Sequence, residues 1–300
     1  MKRFFTIICM LLCLAMGFAQ VSNDGSVTTI GPVDNYGFLT GPDGSTWTYT
    51  AAYTTQYGEV TAADITIYDS QYNLVGTLSE TFQLAETDLF IRNVEINSLV
   101  TRKFFNSDDN YEIMLFISVA TKDYTGRFYN SVYSLTDEGS KHVCNVDGNQ
   151  VLAKNISTNK NDNYTMVFFR QYYDANNKLF YNYDVYGKAE YGTSQPVLKH
   201  TFEIPYQHIA ALNDPMPIYM VQSGTYTIDY FVAQYEQPFF DPNIPVYEEP
   251  VINPNNNLVI TRYDNKFKTL SEVKIPMIQD EDPGFLYTFY YLGGLGGQND

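Results

Sequence analysis

Apolar and aromatic residues alternate with polar ones in short runs along nearly the whole chain, and Asn, Asp, Gly and Pro bound the runs. Ile65-Thr66-Ile67-Tyr68, Glu112 to Val119, Tyr164 to Phe169, Phe180 to Tyr186, Thr225 to Val232 and Leu258 to Tyr263 are the clearest. A period of two filled with β-branched and aromatic residues predicts strands. Beyond the first twenty residues no stretch carries a sustained helical stripe with caps. The pattern therefore predicts an all-β fold.

The strands also repeat. Asp109-Asn110-Tyr111-Glu112-Ile113-Met114-Leu115-Phe116 recurs 53 residues later as Asp162-Asn163-Tyr164-Thr165-Met166-Val167-Phe168-Phe169. Downstream, Phe128-Tyr129-Asn130-Ser131-Val132-Tyr133 matches Phe180-Tyr181-Asn182-Tyr183-Asp184-Val185-Tyr186, the second copy carrying one extra residue. Two matched strands in the same order mark a duplicated unit. A looser echo joins Ile65-Thr66-Ile67-Tyr68-Asp69 to Ile260-Thr261-Arg262-Tyr263-Asp264. Hairpin turns placed at Asp69, Asp123, Asp174, Ser223-Gly224 and Asp264 are spaced by 54, 51, 49 and 41 residues. A period of about 50 holds roughly four strands of ordinary length. The expectation is a β-propeller-like array of about five four-stranded units, because a single four-stranded blade cannot bury both of its faces alone. Tandem β-sandwich modules are the alternative architecture, for which a period near 100 residues is more natural.

The first residues have a different pattern. Lys2 and Arg3 precede an apolar run from Phe4 to Met16, and Gly17 and Ala19 place small residues before Gln20. This is the layout of a secretory signal peptide, too short for a membrane span of about 20 residues. The expected organisation is a signal peptide at 1–19, an N-terminal β segment at 20–60, a repeat domain at 61–290 and a Gly-rich tail at 291–300. Gln237 to Pro254 carries five prolines and reads as a surface loop. No later segment is long and apolar enough to span a membrane, and the strands look too short and irregular for an outer-membrane barrel.

Composition narrows the class. With 18 Lys+Arg against 34 Asp+Glu the formal charge is −16, and signal cleavage removes Lys2, Arg3 and no acid, giving −18. Nucleic-acid binding draws on basic residues to neutralise phosphates, so a nucleic-acid partner is not expected. Cleavage also removes Cys9 and Cys13, leaving Cys144 without an internal disulfide partner. Cys144 lies in an alternating stretch and reads as a small buried hydrophobe. The 27 Tyr and 20 Phe supply bulky strand faces.

At Phe104-Phe105-Asn106-Ser107-Asp108-Asp109-Asn110-Tyr111-Glu112 the chain resembles the repeats of secreted, propeller-like proteins of Bacteroidetes, many of which end in a type IX secretion sorting domain. The signal followed by Gln20 is similar as well. The resemblance covers about residues 60 to 290. It implies export and a propeller-like fold, and it implies no established activity. No sorting domain is seen before Asp300.

Two sets of residues are candidates for chemistry. Asp108, Asp109 and Glu112 present hard oxygens of the kind Ca²⁺ takes, roughly six to eight at a time. The second copy has Thr165 where Glu112 stands, and the plainer reading is that Asn and Asp cap their own turns. Tyr172, Tyr173 and Tyr181, with the lone Trp47, are candidates for stacking on a sugar ring; packing faces on strands are the plainer reading here too. Asp280-Glu281-Asp282 and Glu248-Glu249 read as solvated loops. His142, His200 and His208 accompany no Gly-x-Ser-x-Gly elbow and no zinc motif. A glycosidase needs only two carboxylates, and the sequence singles out no pair. The expectation is an exported, non-enzymatic scaffold or binding module for a glycan or cell-surface protein, with no cofactor besides a candidate Ca²⁺. A secreted carbohydrate-active hydrolase on the same fold is the alternative.

Overall fold

A computed structural model describes residues 28–30, 36–122, 126–155, 164–176, 178–209, 217–238 and 256–276. The signal peptide at 1–19, the turn at Asp123, the repeat residues Asp162-Asn163, most of the Pro-rich loop, Asp280-Glu281-Asp282 and the tail at 291–300 lie outside the described residues.

Eighteen strands and one 3-10 turn, Tyr206–His208, make up the described elements. The first sheet holds β1 (Thr28–Ile30), β2 (Tyr36–Thr40), β3 (Thr46–Gln56), β4 (Glu59–Tyr68) and β5 (Leu74–Thr81) in the order β1-β3-β4-β5, with β2 also on β3. The second holds β6 (Asp88–Ile96), β7 (Thr101–Arg102), β8 (Tyr111–Thr121), β9 (Gly126–Thr136) and β10 (Gly139–Asp147), ordered β6-β8-β9-β10, with β7 also on β8. The third is β11 (Asn149–Asn155), β12 (Tyr164–Tyr173), β13 (Leu179–Gly187) and β14 (Val197–Pro205). The fourth is β15 (Ile218–Gly224), β16 (Thr227–Tyr235), β17 (Asn257–Tyr263) and β18 (Thr269–Pro276).

The fold is all-β, an array of antiparallel sheets each built on a path of four strands. Neighbours on the path follow one another in the chain except at β1–β3 and β6–β8, where β2 and β7 intervene, and such sheets fit a propeller-like array or a sandwich array. Strand β4 runs through residues 60 and 61, so the N-terminal β segment and the start of the repeat region share one sheet. The described residues hold four such sheets where the turn spacing predicted about five. The four described turns are not equivalent: Asp69 and Asp264 follow third strands, Asp174 follows a second, and Ser223-Gly224 follows a first. Strands β8 and β9 reach 11 residues each, longer than the sequence pattern suggested. Strand length therefore gives no ground for setting a membrane barrel aside.

Chain contacts divide the molecule into two compact units. In one, Ile65, Ile67 and Leu78 of the first sheet share an apolar core with Ile113, Leu115, Ile117 and Tyr133 of the second. In the other, Tyr181, Tyr183, Val185, Phe202 and Ile204 of the third sheet share a core with Ile228, Tyr230 and Val232 of the fourth. Alternate residues point inward on each strand, as a period of two requires.

The duplicated strands occupy equivalent places, β8 and β12 second on their paths, β9 and β13 third. Val132 pairs with Met114 and Val185 with Val167, so the extra residue in the second copy restores the register. The copies differ in which face meets the core. Ile113 and Leu115 face it on β8, whereas on β12 the counterparts of these two, Met166 and Phe168, lie outside the core cluster that Val167 joins. Met114, Met166 and Phe168 are nonetheless fully buried. Each duplicated strand thus buries both faces, which explains its nearly unbroken apolar run.

Candidate functional site

The three candidate Ca²⁺ ligands diverge. Glu112, second residue of β8, is fully buried. Its Oε2 accepts hydrogen bonds from Thr101 Oγ1 at 2.8 Å and the Phe104 N–H at 3.0 Å; its Oε1 accepts from the Phe105 and Asn106 N–H groups, both at 2.9 Å. Burial pushes its carboxyl up to about 7 against the pull of these donors. Asp108 accepts from the Asn110 N–H at 2.9 Å, Asn106 Nδ2 at 2.9 Å and Ser134 Oγ at 3.2 Å. Asp109 turns outward to Lys103 and Arg102, and the Lys103 ammonium holds its carboxyl below the usual range. Among the described residues no three His, Cys, Asp or Glu side chains gather to hold a metal ion. The acidic stretch caps and anchors the loop from Lys103 to Asn110. In the second copy Thr165 hydrogen-bonds Tyr230.

Phe104 and Phe105 explain why the loop needs an anchor. Both rings are fully buried, 4.8 Å apart and edge to face. Burying them takes their N–H groups out of water, and a buried donor must find an acceptor. Glu112 supplies it, and the Phe104 carbonyl accepts from the Ala189 N–H at 2.6 Å.

The three candidate tyrosines fall on two faces of the third sheet. Tyr181 is buried in the core, edge to face with Phe169 at 4.9 Å and tilted on Tyr206 at 5.3 Å. Tyr173 belongs to the same face of the sheet but stands 61% exposed at the strand end. Tyr172 points the other way, stacked on Phe180 at 5.4 Å and 21°. Its hydroxyl donates to Glu203 on β14, which pushes the phenol up to about 12.

Glu203 leads to a cleft of about 490 Å³ that the sequence did not reveal. Strand β14 is the edge of the third sheet, and with the 3-10 turn it supplies one wall through Glu203, Pro205 and His208. The opposite wall is the core-facing side of the fourth sheet, where Gln234, Thr261 and Glu272 sit on three neighbouring strands. Glu236 accepts from Asn257 Nδ2 at 2.6 Å and pairs with Lys274; the Lys274 partner holds its carboxyl below the usual range. His208 Nδ1 donates to the Tyr235 carbonyl at 2.7 Å. The exposed face of Tyr206 lies between the cleft residues Pro205 and His208 in sequence. The cleft offers carboxylate, amide and hydroxyl groups on rigid strands, with aromatic surface beside them.

The other nucleophile and base candidates are occupied. His142 Nε2 lies 3.0 Å from Asn145 Oδ1, and His200 stacks on Phe267 at 4.4 Å, where burial lowers its basicity. Cys144 is buried, and burial pushes its thiol up to about 12.

A cross-strand clasp also escaped the sequence reading. Asp184 on β13 accepts from Arg170 Nε on β12 at 2.5 Å and from Thr201 Oγ1 on β14 at 2.6 Å. Asp229 on β16 does the same with Ser223 Oγ on β15 at 2.7 Å and Arg262 Nε on β17 at 2.8 Å. Each buried carboxylate ties three strands together. The available signal was an acid inside an aromatic strand, Tyr183-Asp184-Val185 and Ile228-Asp229-Tyr230, where an unpaired charge is costly.

Compared with known proteins, the chain matches no family model, and no curated protein is similar to it.

Proposed function

We propose that the protein is an exported, non-enzymatic β-repeat module that binds a glycan in the cleft between β14 and β18. The observation that carries this reading is the cleft itself. It is open, and Glu203, Gln234, Thr261 and Glu272 present hydrogen-bonding groups from strands, where preorganisation limits the cost of binding. Sugar hydroxyls are the ligand groups such a lining satisfies.

The electrostatics favour binding over catalysis. A general acid for glycoside hydrolysis needs a raised carboxyl facing the substrate. Glu112, whose carboxyl burial raises, belongs to the other compact unit and has four donors already on it. In the cleft, Glu236 is held low by Lys274 and stays an ionised acceptor. Export is supported by Lys2-Arg3 and the apolar run to Met16, and by the resemblance to secreted Bacteroidetes repeat proteins.

A glycan array probed with the mature chain, with Ca²⁺ and with chelator, tests the reading. Binding that survives chelation, with no reducing ends released, supports it. Release of reducing ends would establish the hydrolase instead, and a blank array beside a captured surface protein would move the partner to protein.

A further inference from the structure

A second cleft, of about 440 Å³, opens in the other compact unit at the turn end of the first sheet. Two turns frame it. One is the β2–β3 connection, where the Gly41 N–H donates to the Ser45 carbonyl at 2.8 Å. The other connects β4 to β5, where Asp69 Oδ1 accepts from the Gln71 and Asn73 N–H groups at 2.8 and 2.9 Å. Trp47 and Tyr111 stand edge to face at 4.9 Å and form the aromatic end.

A relay of hydrogen bonds fixes the polar wall. Trp47 Nε1 donates to Ser45 Oγ at 3.0 Å, and Ser45 Oγ donates to Asp43 Oδ1 at 2.5 Å. Gly41 packs against the indole so closely that a Cβ there would meet Trp47 Nε1 at 2.4 Å, so the turn admits no side chain at this position. Asp43 is held ionised by Ser45, and Asp69 by Asn73.

The lining has two chemical sides. Asp43, Asp69 and Gln71 offer acceptors and an amide, while Leu74, Val75 and Tyr111 offer apolar and ring surface. A pyranose has the same division, with hydroxyls around its edge and C–H groups on its faces. Two carboxylates and no Lys, Arg or His line the cleft; the Arg102 guanidinium, 5.6 Å over the Tyr111 ring, is paired with Asp109, so an anionic sugar meets net repulsion and an uncharged one does not.

We propose that this cleft is a second saccharide site, selective for neutral sugars and separate from the β14–β18 cleft. It rests on the glycan reading for the class of ligand alone.

Calorimetric titration of the mature chain with cello-, xylo- and manno-hexaose, and with an oligogalacturonate as the acidic probe, tests it. The Asp43→Asn, Gln71→Ala double variant keeps an Asx cap for the turn while removing the charge and the amide. The expected result is two sites per chain for a neutral hexaose, falling to one in the double variant. A single site that the double variant retains and Glu203→Gln, Gln234→Ala abolishes overturns the second site and leaves the glycan reading standing. Oligogalacturonate bound at the site lost in the Asp43 variant overturns the neutral selectivity. Binding of none of these sugars overturns the glycan reading and this inference with it.

Discussion

The Phe105 N–H donates to Glu112 Oε1 at 2.9 Å, and the Phe105 ring it belongs to has no exposed surface. The carboxylate and the ring depend on each other: the ring is buried because its backbone has an acceptor, and the acceptor is desolvated because the ring covers it. Above about pH 7, where the carboxyl is ionised, Glu112→Gln places an amide NH₂ against N–H donors and leaves at least one without an acceptor, at a cost of about 1–3 kcal/mol. Glu112→Ala leaves all four donors unpaired and costs more. Urea denaturation of the three proteins checks the order.

Glu112 also sets a pH dependence. Its folded carboxyl is raised from 4.5 to about 7, so between those values the folded chain holds a proton that the unfolded chain releases. Stability therefore falls as pH rises through this window, by about 3 kcal/mol in all, and is flat above it. Asp88, held low chiefly by Arg127, acts in the opposite sense only below its usual 3.8. Denaturation midpoints from pH 5 to pH 8 are expected to fall in the wild type and not to fall in Glu112→Gln, where His200, its basicity lowered by burial, adds stability as pH rises toward 6.5. A wild type that gains stability across that range contradicts the assignment.

Arg170 and Asp184 are unequal partners. The Asp184 side chain is 3% exposed and the Arg170 side chain 39% exposed. Arg170→Ala strands a buried carboxylate and is expected to cost about 3 kcal/mol or more. Asp184→Asn leaves an arginine that water can reach and is expected to cost about 1–2 kcal/mol. Chemical denaturation measures both, and the reverse order would remove the clasp from the account.

The adjacent tyrosines separate packing from surface. Tyr181→Ala empties a core position and is expected to cost about 3–5 kcal/mol. Tyr173→Ala is expected to change stability by no more than about 0.5 kcal/mol. Thermal melts of the two variants decide.

Two turn residues with the same backbone predict opposite signs. Tyr72 and Phe267 have φ of 63° and 62°, a left-handed conformation that a side chain resists. Tyr72 is 75% exposed, so Tyr72→Gly is expected to stabilise by up to about 1 kcal/mol. Phe267 packs on His200 and Tyr230 at 4.4 and 5.0 Å, so Phe267→Gly is expected to destabilise.

Much of the fold was legible because the evidence for it is local. Alternation located the strands, and the matched segments at Asp109 and Asp162 found equivalent strands of two sheets. The turns at Asp69, Asp174 and Asp264 were legible for the same reason: in each, one aspartate Oδ1 accepts two N–H groups of its own turn. What failed was their phase, since a turn does not announce which pair of strands it joins. Glu112 was noticed for its charge, but its acceptor role depends on Phe104 and Phe105 folding over it. The cleft was not legible at all, because Glu203, Gln234 and Glu272 meet only after two sheets pack. Tyr172 pointed to its edge through the hydroxyl bond to Glu203.

The most direct test of the central claim is calorimetric titration of a neutral hexaose into the mature wild type and into Glu203→Gln, Gln234→Ala, with the solution assayed afterwards for reducing ends. The account predicts saturable binding whose β14–β18 component disappears in the variant, and no new reducing ends. Binding unchanged by the substitutions, or sugar cleaved by the wild type, would contradict it.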